Sequence, residues 1–189
     1  MRKRLLPLIY RFVRDRRGTV LMELAFGLPI LVMILLGCFE AARFVLLDQK
    51  LARVAATTAD LVAQSEGISE AQITDLFSAA DDSALPFDLA GTGRVIISSV
   101  AKPTAADPTV AWQRISSGTV AVTSALGTAG QIAALPAGLT LRQGDNVIVA
   151  EVFYNYVPVF LGATKITSAS LYQVSYNRPR IINLTQVTP

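Results

Sequence analysis

The run from Thr19 to Phe39 constrains this chain most, because Glu23 is its only ionisable group apart from the thiol of Cys38. Roughly 20 apolar residues rising ~1.5 Å each match the ~30 Å hydrocarbon core of a bilayer. Before the run stand Arg2, Lys3, Arg4, Arg11, Arg14, Arg16 and Arg17. Basic residues on one flank of a span hold that flank in the cytoplasm. The pattern predicts a single-pass anchor with its N-terminus inside: a basic cytoplasmic leader over 1–18, a transmembrane helix over 19–39, and the rest across the membrane.

Glu23 is the exception that needs a reason. A carboxylate well inside an apolar helix costs about 2.5 to 3.5 kcal/mol on insertion scales. It stands at the fifth position after Gly18, counting Thr19 as the first. A cut after Gly18 would free an α-amine on Thr19, ~6 Å along the helix from Glu23. Such an amine is cationic near neutral pH and lowers the cost of a nearby carboxylate. In a bundle of such helices, Glu23 of one copy would pair with the amine of its neighbour. The alternative is an uncleaved anchor whose Glu23 lies near the interface, protonated or hydrated. Further along, Pro29 removes one backbone hydrogen bond and crowds the carbonyl of Ala25, which predicts a helix kink. Gly27 and Gly37 permit close approach of other helices.

The formal charge of +3 misleads about partners. Of 17 Lys/Arg and 14 Asp/Glu, the first 18 residues hold seven and one, leaving ten and thirteen, a net of −3 beyond the leader. The basic residues have the arrangement of a topogenic signal, so nucleic acid is not an expected partner. Catalytic groups are scarce: there is no histidine, and Cys38, the sole thiol, lies within the apolar run. No serine-nucleophile elbow or phosphate-cradling glycine loop is present. No catalytic residue, metal, cofactor or small-molecule substrate is expected. Asp81, Asp82 and Asp88 lie in a turn-rich segment without the regular spacing of a calcium loop.

The helix is expected to outlast the span. Phe44, Leu47, Leu51, Val54, Thr58 and Leu61 recur at three- and four-residue steps, with Ala55 and Val62 alongside. Arg43, Asp48, Lys50, Arg53 and Asp60 fall to other sides, and Gly67 is a terminator after Glu66. A helix over 40–66 thus continues the first and needs a surface to cover its apolar face. Segment 67–93 holds a short helix opened by the capping box Ser69-Glu-Ala-Gln72 and running to about Ala80, then a loop.

Segment 94–189 is an antiparallel β domain. Val95–Val100 and Val110–Ile115 read as a hairpin, Asn146–Val157 and Lys165–Asn177 as two longer strands forming the centre of the sheet. Gly144-Asp145 is a turn into the third strand. Residues 116–144 are irregular, with a helical turn at Gln131–Leu135. Tyr154, Tyr156, Tyr172 and Tyr176 are expected on one side of the sheet. The fold class is α+β: a long N-terminal membrane-spanning helix continuing into an amphipathic helix packed on a small antiparallel sheet.

Three stretches resemble a known family. Gly18-Thr-Val-Leu-Met-Glu-Leu-Ala-Phe-Gly-Leu-Pro29 followed by Gly37-Cys-Phe-Glu-Ala-Ala-Arg43 is similar to the class III signal and span of TadE-like pseudopilins of tight-adherence (Tad/Flp, type IVb) pilus systems. Gln49–Gln64 resembles their post-membrane helix, and Thr167–Arg180 their closing strand with its terminal Arg-Pro-Arg. The resemblance implies a pilin-like fold and the role of a minor pseudopilin, a structural or initiating subunit. It implies processing between Gly18 and Thr19 by a prepilin peptidase. Implied partners are other minor pseudopilins, the major Flp pilin, the inner-membrane assembly platform and the lipid membrane. The implied location is the bacterial inner membrane, with the C-terminal domain periplasmic or extracellular. It also suggests a basic patch at Arg178 and Arg180, where the residues alone read first as a solvated end to the last strand. The competing reading is an uncleaved membrane-anchored extracytoplasmic binding module.

Overall fold

The computed structural model describes residues 17–160 and 169–189. The leader up to residue 16, and residues 165–168 of the expected fourth strand, lie outside the described residues. Helix α1 runs Arg17–Ala63, passing through Pro29. Helix α2 spans Glu70–Ala84 and the single turn α3 spans Leu89–Thr92. Four strands follow: β1 Gly93–Ala101, β2 Thr109–Ile115, β3 Asn146–Tyr156 and β4 Ala169–Asn177. The fold is α+β, a long apolar N-terminal helix followed by a small antiparallel sheet. It divides into two compact units, the second being Arg43–Pro189.

In the first unit, the α1 side chains from Gly18 to Leu35 are all exposed, including Val20, Leu21, Met22, Leu24, Phe26, Ile30 and Met33. By length and composition this stretch is apolar enough to cross a membrane.

In the second unit, the predicted stripe of α1 is the core. Leu47, Leu51, Val54, Ala55 and Val62 are buried in one cluster with Val95, Ile97, Trp112, Ile148 and Val152 of the sheet. Leu61 departs from the expectation: it is half exposed, and Ala59 and Ala63 turn inward instead. The charged residues beside the stripe tie its edges down. Gln173 donates to Asp48 at 2.6 Å, Lys50 donates to the Ser83 carbonyl at 3.4 Å, and the Arg43 guanidinium lies 5.6 Å from the Phe87 ring centre.

Helix α1 ends at Ala63, before the predicted Glu66. The reason is a long-range competitor: the Arg180 amide donates to the Ala63 carbonyl at 2.9 Å, supplying a partner from outside the helix. Ser69 caps α2 as predicted, accepting from the Gln72 amide while Gln72 accepts from the Ser69 amide. This helix runs past Ala80, so Asp81 and Asp82 are helical rather than in a loop; Ala80 and Ala84 are buried on its inner side. Asp88 caps the turn α3 through the Gly91 amide at 2.7 Å.

The strand order is β2-β1-β3-β4, all antiparallel. The two C-terminal strands pair as expected, but β4 is an edge, and β1 with β3 forms the centre. Burial agrees with this: β1 and β3 are buried almost throughout, whereas β4 is only partly covered. The tyrosines split between faces. In the β3–β4 register Tyr154 sits opposite Leu171 and Tyr172 opposite Phe153, so an even-numbered residue always faces an odd one. Cross-strand partners share a face, which puts Tyr154 and Tyr156 in the helix-side core and Tyr172 and Tyr176 on the other side.

That other face is covered by the 116–144 segment, whose Leu126, Ala133 and Leu141 pack on Val100, Val110, Val147 and Val149. No helical turn forms at Gln131–Leu135. The segment bridges β2 instead, with Val110 donating to the Gln131 carbonyl and Ala133 to that of Pro108. Gly144 takes φ +87 in the predicted turn, a conformation that favours glycine.

Candidate functional site

Gly18, Thr19, Glu23 and Pro29 all lie on the exposed part of α1. Residues four apart on a helix share a face, so Thr19 and Glu23 stand one above the other. A side-chain carbon added at Gly18, Gly27 or Gly37 would meet nothing within 4 Å, so all three glycines face open space. Cys38 is exposed with a free thiol. This stretch is an apolar surface with one carboxylate set in it, near its N-terminal end.

Arg178 and Arg180 do not converge on a common patch. Arg178 pairs with Asp145 at 3.3 Å, beside the turn into β3. Arg180 pairs with Asp60 at 2.8 Å, near the end of α1, where its own amide holds the Ala63 carbonyl. Asp60 also accepts from Asn177 and Gln64. Each arginine keeps over half of its side chain exposed while matched by one aspartate. The local effect is to fasten the chain leaving β4 to two points of the same unit.

Two polar clusters escaped the sequence reading. Glu151, in the middle of β3, is fully buried on the loop-covered side. Its carboxylate accepts from the Ser124 hydroxyl, the Ala125 amide at 2.9 Å and the Tyr172 hydroxyl at 3.0 Å. Burial pushes the Tyr172 hydroxyl well above the ordinary phenol range, and the charge and hydrogen bond of Glu151 add to it. Tyr176 shifts upward for the same first reason, with Glu151 again contributing. One signal was available: Glu151 is the only charged residue in β3.

The second cluster anchors the C-terminal tail. The Leu184 carbonyl accepts from Trp112 Nε1 at 2.8 Å and Ser99 Oγ at 2.6 Å, and its amide donates to Asn146 Oδ1 at 3.0 Å. Asn146 also donates to Ser99 and to the Val100 carbonyl. Further on, Thr188 bridges Ser69, its amide donating to the Ile68 carbonyl. Nothing local in the tail sequence announces this.

Chemistry is sparse. Among the described residues, no group of three or more His, Cys, Asp or Glu is placed to hold a metal ion. A cavity of about 560 Å³ opens beside Arg94, Thr123 and Phe153, where the Arg94 guanidinium is held by the Gly118 carbonyl.

The decisive comparison concerns α1: residues 18–60 match the family model described as TadE-like protein. Over that stretch the chain is similar to TadE-like proteins. The match begins at Gly18, takes in Thr19, Glu23 and Pro29, and ends at Asp60. The matched segment therefore covers both the exposed apolar surface and the stripe that packs on the sheet. The sheet, Glu151 and the Arg178 to Arg180 tail lie outside it. No curated protein and no solved structure matches the chain.

Proposed function

We propose that this chain is a TadE-like minor pseudopilin, a structural or initiating subunit in the assembly of tight-adherence pili. The observation that carries the reading is an exposed apolar helix beginning at Gly18, with its single carboxylate at the fifth position, inside the matched segment. The leader holds the N-terminus in the cytoplasm, and a prepilin peptidase cuts between Gly18 and Thr19. In the bundle of assembling helices Glu23 then pairs with the α-amine of a neighbouring copy or subunit. Desolvation strengthens such a pair and penalises either charge alone. Gly27 and Gly37 admit close helix neighbours, and Pro29 adjusts the path of the helix within the bundle.

The second unit faces the periplasm or the cell exterior, where it meets other minor pseudopilins, the major pilin and the assembly platform. Arg178 and Arg180, half exposed beside their aspartates, contribute to that docking surface. The family match over 18–60 supports a structural role.

The test is intact mass and N-terminal sequencing of the protein from its native membrane, with a Gly18→Leu variant alongside. The expected terminus is Thr19, and Met1 in the variant. Met1 in both would refute processing, deprive Glu23 of its amine, and favour an uncleaved anchored binding module. Glu23→Ala is expected to be processed and inserted normally yet fail to co-assemble; normal assembly would sink the pairing step.

A further inference from the structure

The two edges of the sheet are built differently. A strand at the margin of a sheet presents a row of unpaired backbone amides and carbonyls, and folded proteins blunt such rows with bulges, charges or a covering segment. β2 is blunted in each of these ways. Its register against β1 shifts between Ser99 and Val100, leaving Ala111 as an extra residue between Val110 and Trp112. Arg114 sets a charge on it, paired with Glu70 of α2. Val110 donates to the Gln131 carbonyl and accepts from the Gly130 amide at 2.7 Å, so the 116–144 segment covers its start. β4 has none of these protections. Its nine residues hold no charged side chain and no proline, and they run in unbroken register from Ala169 opposite Tyr156 to Asn177 opposite Ile148. Among the described residues, no backbone hydrogen bond outside the β3–β4 ladder reaches Ala169–Asn177. The outer row of β4 is open.

One face of that edge reads the same in both directions. Tyr172, Val174 and Tyr176 lie on the loop-covered side, with Val174 midway between the tyrosines. A second β4 laid antiparallel and centred on Val174 sets Tyr172 of each copy opposite Tyr176 of the other. A two-fold axis makes the contact reciprocal, so the aromatic pair forms twice. Tyr172 is already held for it: its hydroxyl donates to Glu151 at 3.0 Å, its ring lies 4.9 Å from that of Phe153, and 41% of it is still exposed. No like charges meet on this register, which sets Gln173 opposite Ser175, Leu171 opposite Asn177 and Ser170 opposite Arg178. The charged groups bordering the strand are engaged within their own chain, Arg178 with Asp145, Arg180 with Asp60, and Asp48 with Gln173.

We propose that β4 is a docking edge for β4 of a second copy, joining two four-stranded sheets into one continuous sheet. The occupant is a second copy rather than a foreign strand because the Tyr-x-Val-x-Tyr pattern is complementary to itself. Backbone hydrogen bonds supply the attraction, and the tyrosine pairs fix the register. The contact belongs to the Arg43–Pro189 unit and does not rest on cleavage after Gly18.

The experiment uses the full chain with Cys38→Ser and Ser170→Cys in detergent micelles, dilute and concentrated. A nitroxide at position 170 reports the distance between copies, and hydrogen exchange reports the amides of each strand. In the pair the two labels stand about eight strand positions apart, roughly 27 Å. Concentrated protein is expected to show that distance, with exchange slowed about tenfold or more at alternate amides of β4 and unchanged in β2. On dilution the distance disappears and the same amides exchange quickly. Association that leaves the β4 amides fast would mean that the copies meet elsewhere, and it overturns the proposal. Slow exchange at every β4 amide in the dilute sample also overturns it, because the chain would then cover its own edge. So does the absence of any distance between labels in the concentrated sample. Protection of β4 that appears only after an extract of the native membrane is added gives the edge to a different protein and overturns the second copy as its occupant.

Discussion

Replacing Glu151 separates two opposing costs. Its buried carboxylate accepts three hydrogen bonds, and no cation is among the partners the structure shows. Hydrogen bonds to a charged group contribute about 1.5–3 kcal/mol, and neutral ones about 0.5–1.5. Against this stands a desolvation cost of several kcal/mol for a buried ion. Glu151→Gln keeps Oε1 for the Ala125 amide and the Tyr172 hydroxyl, while Ser124 Oγ rotates to accept from the new amide. Charge assistance worth about 1 kcal/mol per bond is lost, and the desolvation cost largely disappears. The glutamine variant is therefore expected within about 1–2 kcal/mol of the parent. Glu151→Ala removes every acceptor. Tyr172 and Ala125 regain water at the surface, but Ser124 stays buried, and the side-chain volume is lost. The sum is about 3–4 kcal/mol, or roughly 6–16 °C in melting temperature for a domain of this size. Urea and thermal unfolding of the full chain in detergent, followed by the fluorescence of Trp112, the only tryptophan, measures both. An alanine variant as stable as the glutamine variant would refute the view that Glu151 holds the 116–144 segment to the sheet.

Two further outcomes are expected. The raised ionisation of Tyr172 and Tyr176 means the folded protein keeps phenol protons that the unfolded chain releases from about pH 10, the ordinary phenol value. Stability is then intact below about pH 10 and falls as pH rises beyond it; Tyr172→Phe flattens that fall, and unchanged urea midpoints between pH 9 and 11 (roughly the phenol range) would contradict it. Asn146→Ala leaves the Leu184 amide and one Ser99 contact unmatched in a buried setting, at about 2–4 kcal/mol. Hydrogen exchange should quicken at Leu184 ahead of the β1–β3 pairs, whereas uniform loss of protection would count against a local anchor.

What the sequence disclosed follows from the range of the interactions. The stripe from Leu47 to Val62 and the strands around Ile97 and Ile148 were legible because their periodicity is written locally. The Gly18, Thr19 and Glu23 pattern lies within six consecutive residues, so its spacing is read locally. The edge position of β4, the split of the tyrosines and the early end of α1 depend on register and on partners far along the chain. Arg180 is the sharpest case: its neighbours suggest a basic end, yet its aspartate stands 120 residues earlier. Leu61 matched the stripe by spacing alone, but Ala59 and Ala63 took the inward positions as the helix ended.

Glu23 and Glu151 present the same physical problem with different solutions. A carboxylate removed from bulk water needs donors or a cation. Folding supplies them for Glu151, drawing Ser124, Ala125 and Tyr172 around it from 27, 26 and 21 residues away. Glu23 sits exposed on a helix whose neighbours three and four positions away are Val20, Phe26 and Gly27, with no polar side chain, and Thr19, with only a hydroxyl and no cation. Once that surface enters lipid, compensation for Glu23 has to arrive from outside the helix. On the processing proposed above, the amine of a neighbouring copy would fit that need in charge and in position along the axis. The two substitutions should accordingly dissociate. Loss of Glu151 lowers the unfolding midpoint of the isolated protein, whereas loss of Glu23 leaves the midpoint unchanged and appears only when subunits assemble. A Glu23→Ala variant destabilised in isolation to the same degree as Glu151→Ala would break this argument.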